Sequence, residues 1–363
     1  MGIPWSDTGV AAPVLCPLSV AVDEVACMLN FELADHPVYD GGELQWFDDD
    51  RHGTGMLAFL SRREGRRVDY YAQPGLRLDR GSYRIGGGTG SWTETDFDVA
   101  RLAVDVDGVD AEVRFTDVDG RPIEIRVDDR DGRARRPAGL LAPVSAGIER
   151  PDSLMLVWMH RFDLVRIAGA PPVIRIGGQD AGTGRLPGAR LHRRHLIKYA
   201  PSLVVVRLNA AHDGPLFPPV VDQQLEQDDM LGVTGVTVER AGHRAQLVLE
   251  PALPHLAGLP DGTSATGRWH VEVDEVRLTG GAWSVARRGG AVDLELDVDE
   301  RWKPGRLPWL MRVVTTVVPV FRRWPTTYRW RAEVRLVPAA SMTARWERTT
   351  TDTTASYRRA TGS

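Results

Sequence analysis

Between residues 105 and 128 apolar and polar residues alternate with a period of two. Val113 and Phe115 alternate with Glu112, Arg114 and Thr116, and Ile123, Ile125 and Val127 alternate with Glu124 and Arg126. Successive side chains of a strand point to opposite faces, so this pattern gives one dry face and one wet face. Asp117, Val118, Asp119 and Gly120 separate the two runs, and a second turn over residues 105–108 precedes them. Strict alternation joined by Asp-Gly turns predicts an antiparallel meander.

The pattern returns downstream. Trp269, Val271 and Val273 alternate with His270, Glu272 and Asp274, while Val292, Leu294, Leu296 and Val298 alternate with Asp293, Glu295, Asp297 and Asp299. Tyr328, Trp330, Ala332, Val334 and Leu336 do the same with Arg329, Arg331, Glu333 and Arg335. Shorter strand-like pieces occupy residues 56–61, 67–72, 82–85, 91–97, 203–208, 235–240 and 245–250. Residues 20–33 read as a helix or a strand pair, and the Gly- and Asp-rich residues 37–55 as a loop carrying Trp46 and Phe47. Many short strands separated by turn residues predict an all-β protein. With 363 residues, the chain exceeds the roughly 250–300 at which single cores stop growing. The expectation is two antiparallel β-barrel or sandwich domains over residues 1–185 and 186–348, with a disordered polar tail over residues 349–363.

One stretch breaks the pattern. Leu310, Met311, Val314, Val317, Val318 and Phe321 recur at helical spacing, with Trp309 and Trp324 flanking and Arg306, Arg312, Arg322 and Arg323 at the ends or on the other side. Pro319 and the β-branched run predict a kink. Two readings stand for this C-terminal amphipathic helix. It plugs or packs on a barrel, or residues 306–324 form an interfacial lid in peripheral contact with a membrane.

The longest apolar run, residues 154–167, is predicted to be a strand covered on both sides. Leu154, Leu156, Trp158, His160, Phe162 and Leu164 share one face, and Met155, Val157, Met159, Arg161, Asp163 and Val165 share the other. This reading points His160 into an apolar, aromatic face and places Arg161 and Asp163 opposite. An apolar strand that carries three ionisable residues is the best candidate site. His160 or Asp163 would transfer a proton, Arg161 would hold an oxygen, and Trp158 and Phe162 would line the ligand.

Other motifs give less. Gly86, Gly87, Gly88, Thr89 and Gly90 lack the lysine and following helix of a phosphate loop, so a hairpin is expected. The aspartates at 105, 107, 117, 119, 129 and 131 lack the twelve-residue loop and closing glutamate of a calcium site, and hairpin turns account for them. His192, His195, His212 and Asp213 match no strong metal spacing, and Arg193 and Arg194 would repel a cation. The expectation is no metal and no cofactor.

A net charge of −4 argues against nucleic acid. Only Cys16 and Cys27 occur, so no disulfide framework is expected. Lys198 and Lys303 are the only lysines, an arginine bias that suits a GC-rich bacterial genome. Asp7, Asp23 and Glu24 interrupt any leader-like apolar core, which leads to a cytoplasmic expectation. Met1, Gly2 and Ser6 match the spacing of a myristoylation signal only by coincidence.

Short strands, then Gly139, Leu140, Leu141, Ala142 and Pro143, then a run ending in Phe162, Asp163, Leu164, Val165 and Arg166, then a second set of strands: this order resembles the lipocalin-like two-barrel superfamily. That group includes carotenoid hydratases, tocopherol cyclase and barrel-type cyclases of natural-product pathways. The resemblance spans most of the chain in architecture. It implies a long apolar ligand held in a barrel or between two barrels, and acid-assisted hydration, isomerisation or cyclisation without a redox cofactor. None of the family's catalytic carboxylates maps onto a position of this chain. A non-catalytic carrier of the same ligand and a carbohydrate-binding β-sandwich that uses some of the eleven tryptophans are the alternatives.

Overall fold

The computed structural model describes residues 15–349 apart from 66, 81–88, 145, 147, 168–169, 185, 187–192, 217–221, 304–306, 308 and 338, and the side chains of Thr89 and Leu310. The myristoylation spacing, the strand expected at 82–85, Gly86 to Gly88, His192, Arg306 and nearly all of the tail lie outside the described residues.

In chain order the strands are β1 (Val20–Val25), β2 (Cys27–Glu32), β3 (Tyr39–Asp49), β4 (Gly53–Arg62), β5 (Arg67–Ala72), β6 (Thr89–Glu94), β7 (Val99–Asp105), β8 (Gly108–Thr116) and β9 (Pro122–Asp128). There follow β10 (Ala138–Ala142), β11 (Leu154–Arg166), β12 (Val173–Ile176), β13 (Gln179–Asp180), β14 (Arg194–Ala200), β15 (Leu203–Leu208) and β16 (His212–Pro215). The last group is β17 (Gln223–Gln227), β18 (Val233–Arg240), β19 (His243–Leu253), β20 (Ser264–Val273), β21 (Val276–Arg288), β22 (Ala291–Glu300), β23 (Tyr328–Arg335) and β24 (Ser341–Arg348). Helices α1 (Trp309–Val317) and α2 (Pro319–Arg323) interrupt it.

The protein is mostly β, with curled sheets. A ten-stranded sheet runs β1-β15-β11-β14-β2-β3-β4-β5-β6, with β10 also on β11. A five-stranded sheet runs β13-β12-β9-β8-β7, and a nine-stranded sheet runs β16-β24-β23-β22-β21-β20-β19-β18-β17. Pairing is antiparallel except between β5 and β6, which are parallel. The residue 105–128 meander is β7 to β9, and residues 20–33 form a strand pair.

Covalent reach alone requires the nine-stranded sheet to curl. Nine strands laid flat would put the outer two roughly 38 Å apart. Pro215 ends one outer strand and Gln223 begins the other, and a link of that length spans at most about 29 Å. The curled sheet turns its apolar alternates inward. Trp269, Trp283, Trp330 and Trp346 are all fully buried there. Seven of the eleven tryptophans are core residues, namely these four with Trp158, Trp302 and Trp324.

Two cores result. The first joins the interior of the nine-stranded sheet to β1, β10, β11, β15 and one face of β2 to β5. The second lies between the other face of β2 to β5 and the five-stranded sheet. The alternation of β2 makes the division visible, since Cys27, Leu29 and Phe31 enter the second core and Met28 the first.

The structure corrects two expectations. Residues 37–55 are no loop, because β3 and β4 form a long hairpin there. The glycines that suggest a loop serve close approach instead, since a Cβ on Gly41 would lie 2.6 Å from the Phe31 carbonyl oxygen. The single C-terminal helix is two short ones, broken at Val318, which is extended before Pro319. No helix among the described residues is long and apolar enough to cross a membrane.

Trp269 is the most demanding core position, because its indole N–H donates to both Ala282 O and Asp297 O at 3.1 Å. Trp269→Ala should lower the free energy of unfolding in urea by about 3–5 kcal/mol through the cavity it leaves. Trp269→Phe keeps most of the ring and should cost about 1–3 kcal/mol, chiefly from the lost hydrogen bonds.

Candidate functional site

Where β10 meets β11 the register slips by one, so that His160 and Arg161 stand opposite the single residue Gly139. Two residues against one is a β-bulge, and it resets the alternation. Residues 154–159 are buried, His160 and Arg161 are both exposed, and Phe162 is buried again. The expectation that His160 points into an aromatic face is therefore overturned. Trp158 and Phe162 do enter the first core. Trp158 lies over Gly139, where a Cβ would come within 2.3 Å of its ring.

The five expected site residues separate into three places. Trp158 and Phe162 are in the core. Arg161 and Asp163 line a cleft of about 170 Å³ with Val104, Asp105, Val106, Arg135, Pro137, Tyr199 and Pro201. The Arg194 guanidinium stands 3.7 Å from Asp163, and Asp163 pairs across the strands with Tyr199. The Tyr199 hydroxyl is sealed from solvent with no hydrogen-bond partner. Burial, then the carboxylates of Asp163 and Asp129, push its ionisation well above the ordinary phenol range, so it stays neutral. Beneath it Arg135 and Asp129 form a buried ion pair at 2.7 Å.

His160 sits elsewhere, beside His243, Glu24 and Asp274. His243 bridges Glu24 of β1 at 3.3 Å and Asp274 at 2.6 Å. These two carboxylates raise its pKa to about 9, so it is cationic at neutral pH. His160 is shifted the other way, by burial and then by the charges of Arg161 and His243.

The most unusual chemistry lies on the first-core face of β2 to β5, turned away from the five-stranded sheet. The registers align one row across six strands: Leu164, Lys198, Asn30, Glu43, Phe59 and Tyr70. Trp92 extends it on β6. Met28, Gln45 and Leu57 form the adjacent row. Side chains directly opposite in neighbouring strands touch, so a carboxyl, two amides and an ammonium cross an otherwise apolar surface.

Glu43 is the centre of that row. Gln45 donates to one of its oxygens at 2.5 Å and Asn30 to the other at 3.1 Å. Gln45 is fully buried. Burial raises the Glu43 pKa to about 7, against the smaller opposing pull of the two amides and Lys198. Lys198 in turn pairs with Glu32 at 3.0 Å. On the far side Phe59 packs against Tyr70, and Tyr70 stacks on Trp92 with ring centres 4.4 Å apart. A carboxyl that holds its proton near neutrality beside apolar and aromatic walls can act as a general acid.

Sequence reasoning passes over Glu43 because residues 37–55 read as a Gly- and Asp-rich loop, which gives its side chain no face. The one signal available was Lys198, a lysine in a chain whose other cations are almost all arginine. Among the described residues no group of three or more His, Cys, Asp or Glu side chains is placed to hold a metal. His195 on β14 and His212 on β16 belong to different sheets. The aspartates of the hairpin turns serve the turns, as where Asp117 accepts from the backbone N–H groups of Asp119 and Arg121 at 2.9 Å. Both cysteines are free and buried, and burial pushes their thiols up to about 11 for Cys16 and about 12 for Cys27, which leaves them unreactive.

No family model, curated protein or solved structure matches this chain.

The raised Glu43 pKa carries a stability cost with a definite sign. Unfolding returns the group to its ordinary 4.5, so the unfolded chain releases its proton first and stability falls as pH rises from about 4.5 to about 7. Glu43→Gln should therefore melt higher than the parent at pH 8, by about 1–2 kcal/mol in stability. At pH 4 the two should differ little, and thermal melts at both values check the sign.

Proposed function

We propose that this protein binds an apolar small molecule, such as an isoprenoid, polyketide or lipid, against the inner face of the ten-stranded sheet and transfers a proton to it from Glu43. The observation that carries this reading is the Glu43 carboxyl itself, held by Asn30 and Gln45 with a pKa of about 7 between Met28, Leu57 and Phe59. A half-buried carboxyl that holds its proton near neutrality costs stability and is retained where its proton is used. We read the curled sheets as the two-barrel architecture of the lipocalin-like hydratases and cyclases, whose ligands and acid-assisted, cofactor-free reactions fit this face.

Protonated Glu43 adds its proton to one carbon of a substrate double bond and leaves the other carbon cationic. The carboxylate that remains keeps its two amide donors, which stabilise the charge. The faces of Phe59, Tyr70 and Trp92 lie along the same row and favour a developing cation. Loss of a neighbouring proton back to Glu43 completes an isomerisation. Attack by water, or by a second double bond, and loss of a proton complete a hydration or a cyclisation. Phe162 belongs to the apolar wall, while Arg161 and Asp163 hold their own cleft on the opposite face of β11. The same face without turnover would make a carrier.

Native mass spectrometry of the purified protein, followed by organic extraction, tests the ligand class. A co-purifying apolar compound is expected, and the protein should turn it over or turn over its unsaturated precursor. Glu43→Gln should retain the ligand and lose at least about a hundredfold in turnover. In the parent, turnover should fall as pH rises through about 7, where Glu43 loses its proton. A protein that stays empty after exposure to an isoprenoid and lipid extract, or a Glu43→Gln variant with full turnover, rules this reading out.

A further inference from the structure

From Arg301 to Thr327 the chain holds six cations, Arg301, Lys303, Arg306, Arg312, Arg322 and Arg323, and no aspartate or glutamate. The whole chain carries a net charge of −4, so this segment is a strongly positive island. Helices α1 and α2 lie inside it. Helix α1 faces inward with Met311, which is buried in the first core alongside Leu307, Trp302 and Trp324. Trp302 meets Trp158 of β11 edge-on, with ring centres 5.9 Å apart.

The outward face of α1 is not polar. Trp309 is 57% exposed, Val313 49% and Val317 66%. At about 100° per residue these three fall within roughly 80° of arc and make one continuous stripe along the helix. Arg312 and Thr316 are exposed beside it, and Arg322 and Arg323 are exposed in α2. Solvent gives no reason for a tryptophan and two valines in line on a helix surface. An apolar stripe bordered by arginine, with tryptophan at one end and no acid in the segment, has the chemistry of a helix lying in a bilayer interface. The aliphatic and indole groups would enter the headgroup–acyl boundary. The guanidiniums would pair with anionic headgroups.

We infer that α1 and α2 dock this protein on an anionic membrane surface, with Trp309, Val313 and Val317 as the inserted stripe. Charge selects this occupant over a second copy of the chain. Two such faces brought together would oppose the arginines of α1 and α2, and neither helix carries an acidic residue to balance them. Docking would set the helical cap of the first core against lipid, the phase in which an apolar ligand resides. The inference goes beyond the Glu43 reading and does not depend on it, since vesicle binding involves no chemistry.

Co-sedimentation of the full chain with vesicles tests it. The vesicles are phosphatidylcholine alone, or phosphatidylcholine with about a third phosphatidylglycerol. Binding to the anionic vesicles should exceed binding to the neutral ones by at least about tenfold, and should fall steeply between about 0.05 and 0.5 M salt. A Val313→Asp, Val317→Asp variant, altered only at exposed positions, should keep the parent's circular dichroism and lose at least about tenfold in vesicle binding. Arg322→Glu with Arg323→Glu should lose the anionic preference. Glu43→Gln should bind vesicles as the parent does. Equal binding to both vesicle types, binding to neither, or full binding by the folded double-aspartate variant overturns the inference. Sedimentation equilibrium covers the remaining occupant: a concentration-dependent dimer that Val317→Asp converts to monomer would assign the stripe to a second copy and overturn membrane docking.

Discussion

Strand β11 is apolar on both faces through residues 154–159, and a strand of that kind is stable only where both faces are covered. The rest of the structure follows from this requirement. Its first half pairs with β15, its middle with β10 and its end with β14. Residues 154–159 with Phe162 and Leu164 feed the first core, and Val165 feeds the second. One strand therefore ties the ten-stranded sheet to both of the sheets that pack on it. Further ties reinforce the joint, as where the Trp346 indole donates to Leu208 O and Asn209 O at 3.0 and 2.9 Å. Gln223 likewise reaches Val20 O at 2.8 Å.

Against that background the row through Lys198, Asn30 and Glu43 is a local conflict. Apolar residues there would satisfy the first core at no desolvation cost, and the same face supplies Met28, Leu57 and Phe59 around them. A half-buried polar network of this type is tolerable only when its members have partners. Here the amides satisfy the carboxyl and Lys198 answers Glu32. The Arg135–Asp129 pair is a different case. It sits in the link between β9 and β10, is braced by the backbone N–H of Arg166 on Asp129 at 3.1 Å, and fastens the five-stranded sheet to β11. It has the geometry of a structural clamp, whereas Glu43 stands among Met28, Leu57 and Phe59 with two amides on its oxygens and no cation paired to it directly among the described residues.

The parts of the fold that were legible in the sequence are those with one wet face. The strands β8, β9, β20, β22 and β23 alternate because water covers one side of each, so their polar residues mark their phase. The two-sided elements were harder. β3 carries glycines that allow close backbone contact, and its polar residues face a core, so composition describes it as a loop. In β11 the five candidate residues fall within six consecutive positions, yet a single slip against Gly139 sends Trp158 and Phe162 inward, His160 toward His243, and Arg161 and Asp163 to another cleft. Nothing in the spacing of residues 158–163 announces that slip, which is decided by how β10 lies on β11.

The sequence by itself determined the predominantly β character, the meander over residues 105–128 and the helical break near residue 310 that is interrupted at Pro319. These are local properties, set by side-chain period, turn chemistry and the fixed φ of proline. Tertiary structure alone decided which strands share a sheet and in what register. Asn30, Glu43 and Lys198 become neighbours only because β2 pairs with β3 on one side and β14 on the other, and pairing between segments so far apart is a property of the packed chain. The Glu43 pKa follows from that packing, since the same carboxyl on a strand facing water would titrate as any other glutamate does.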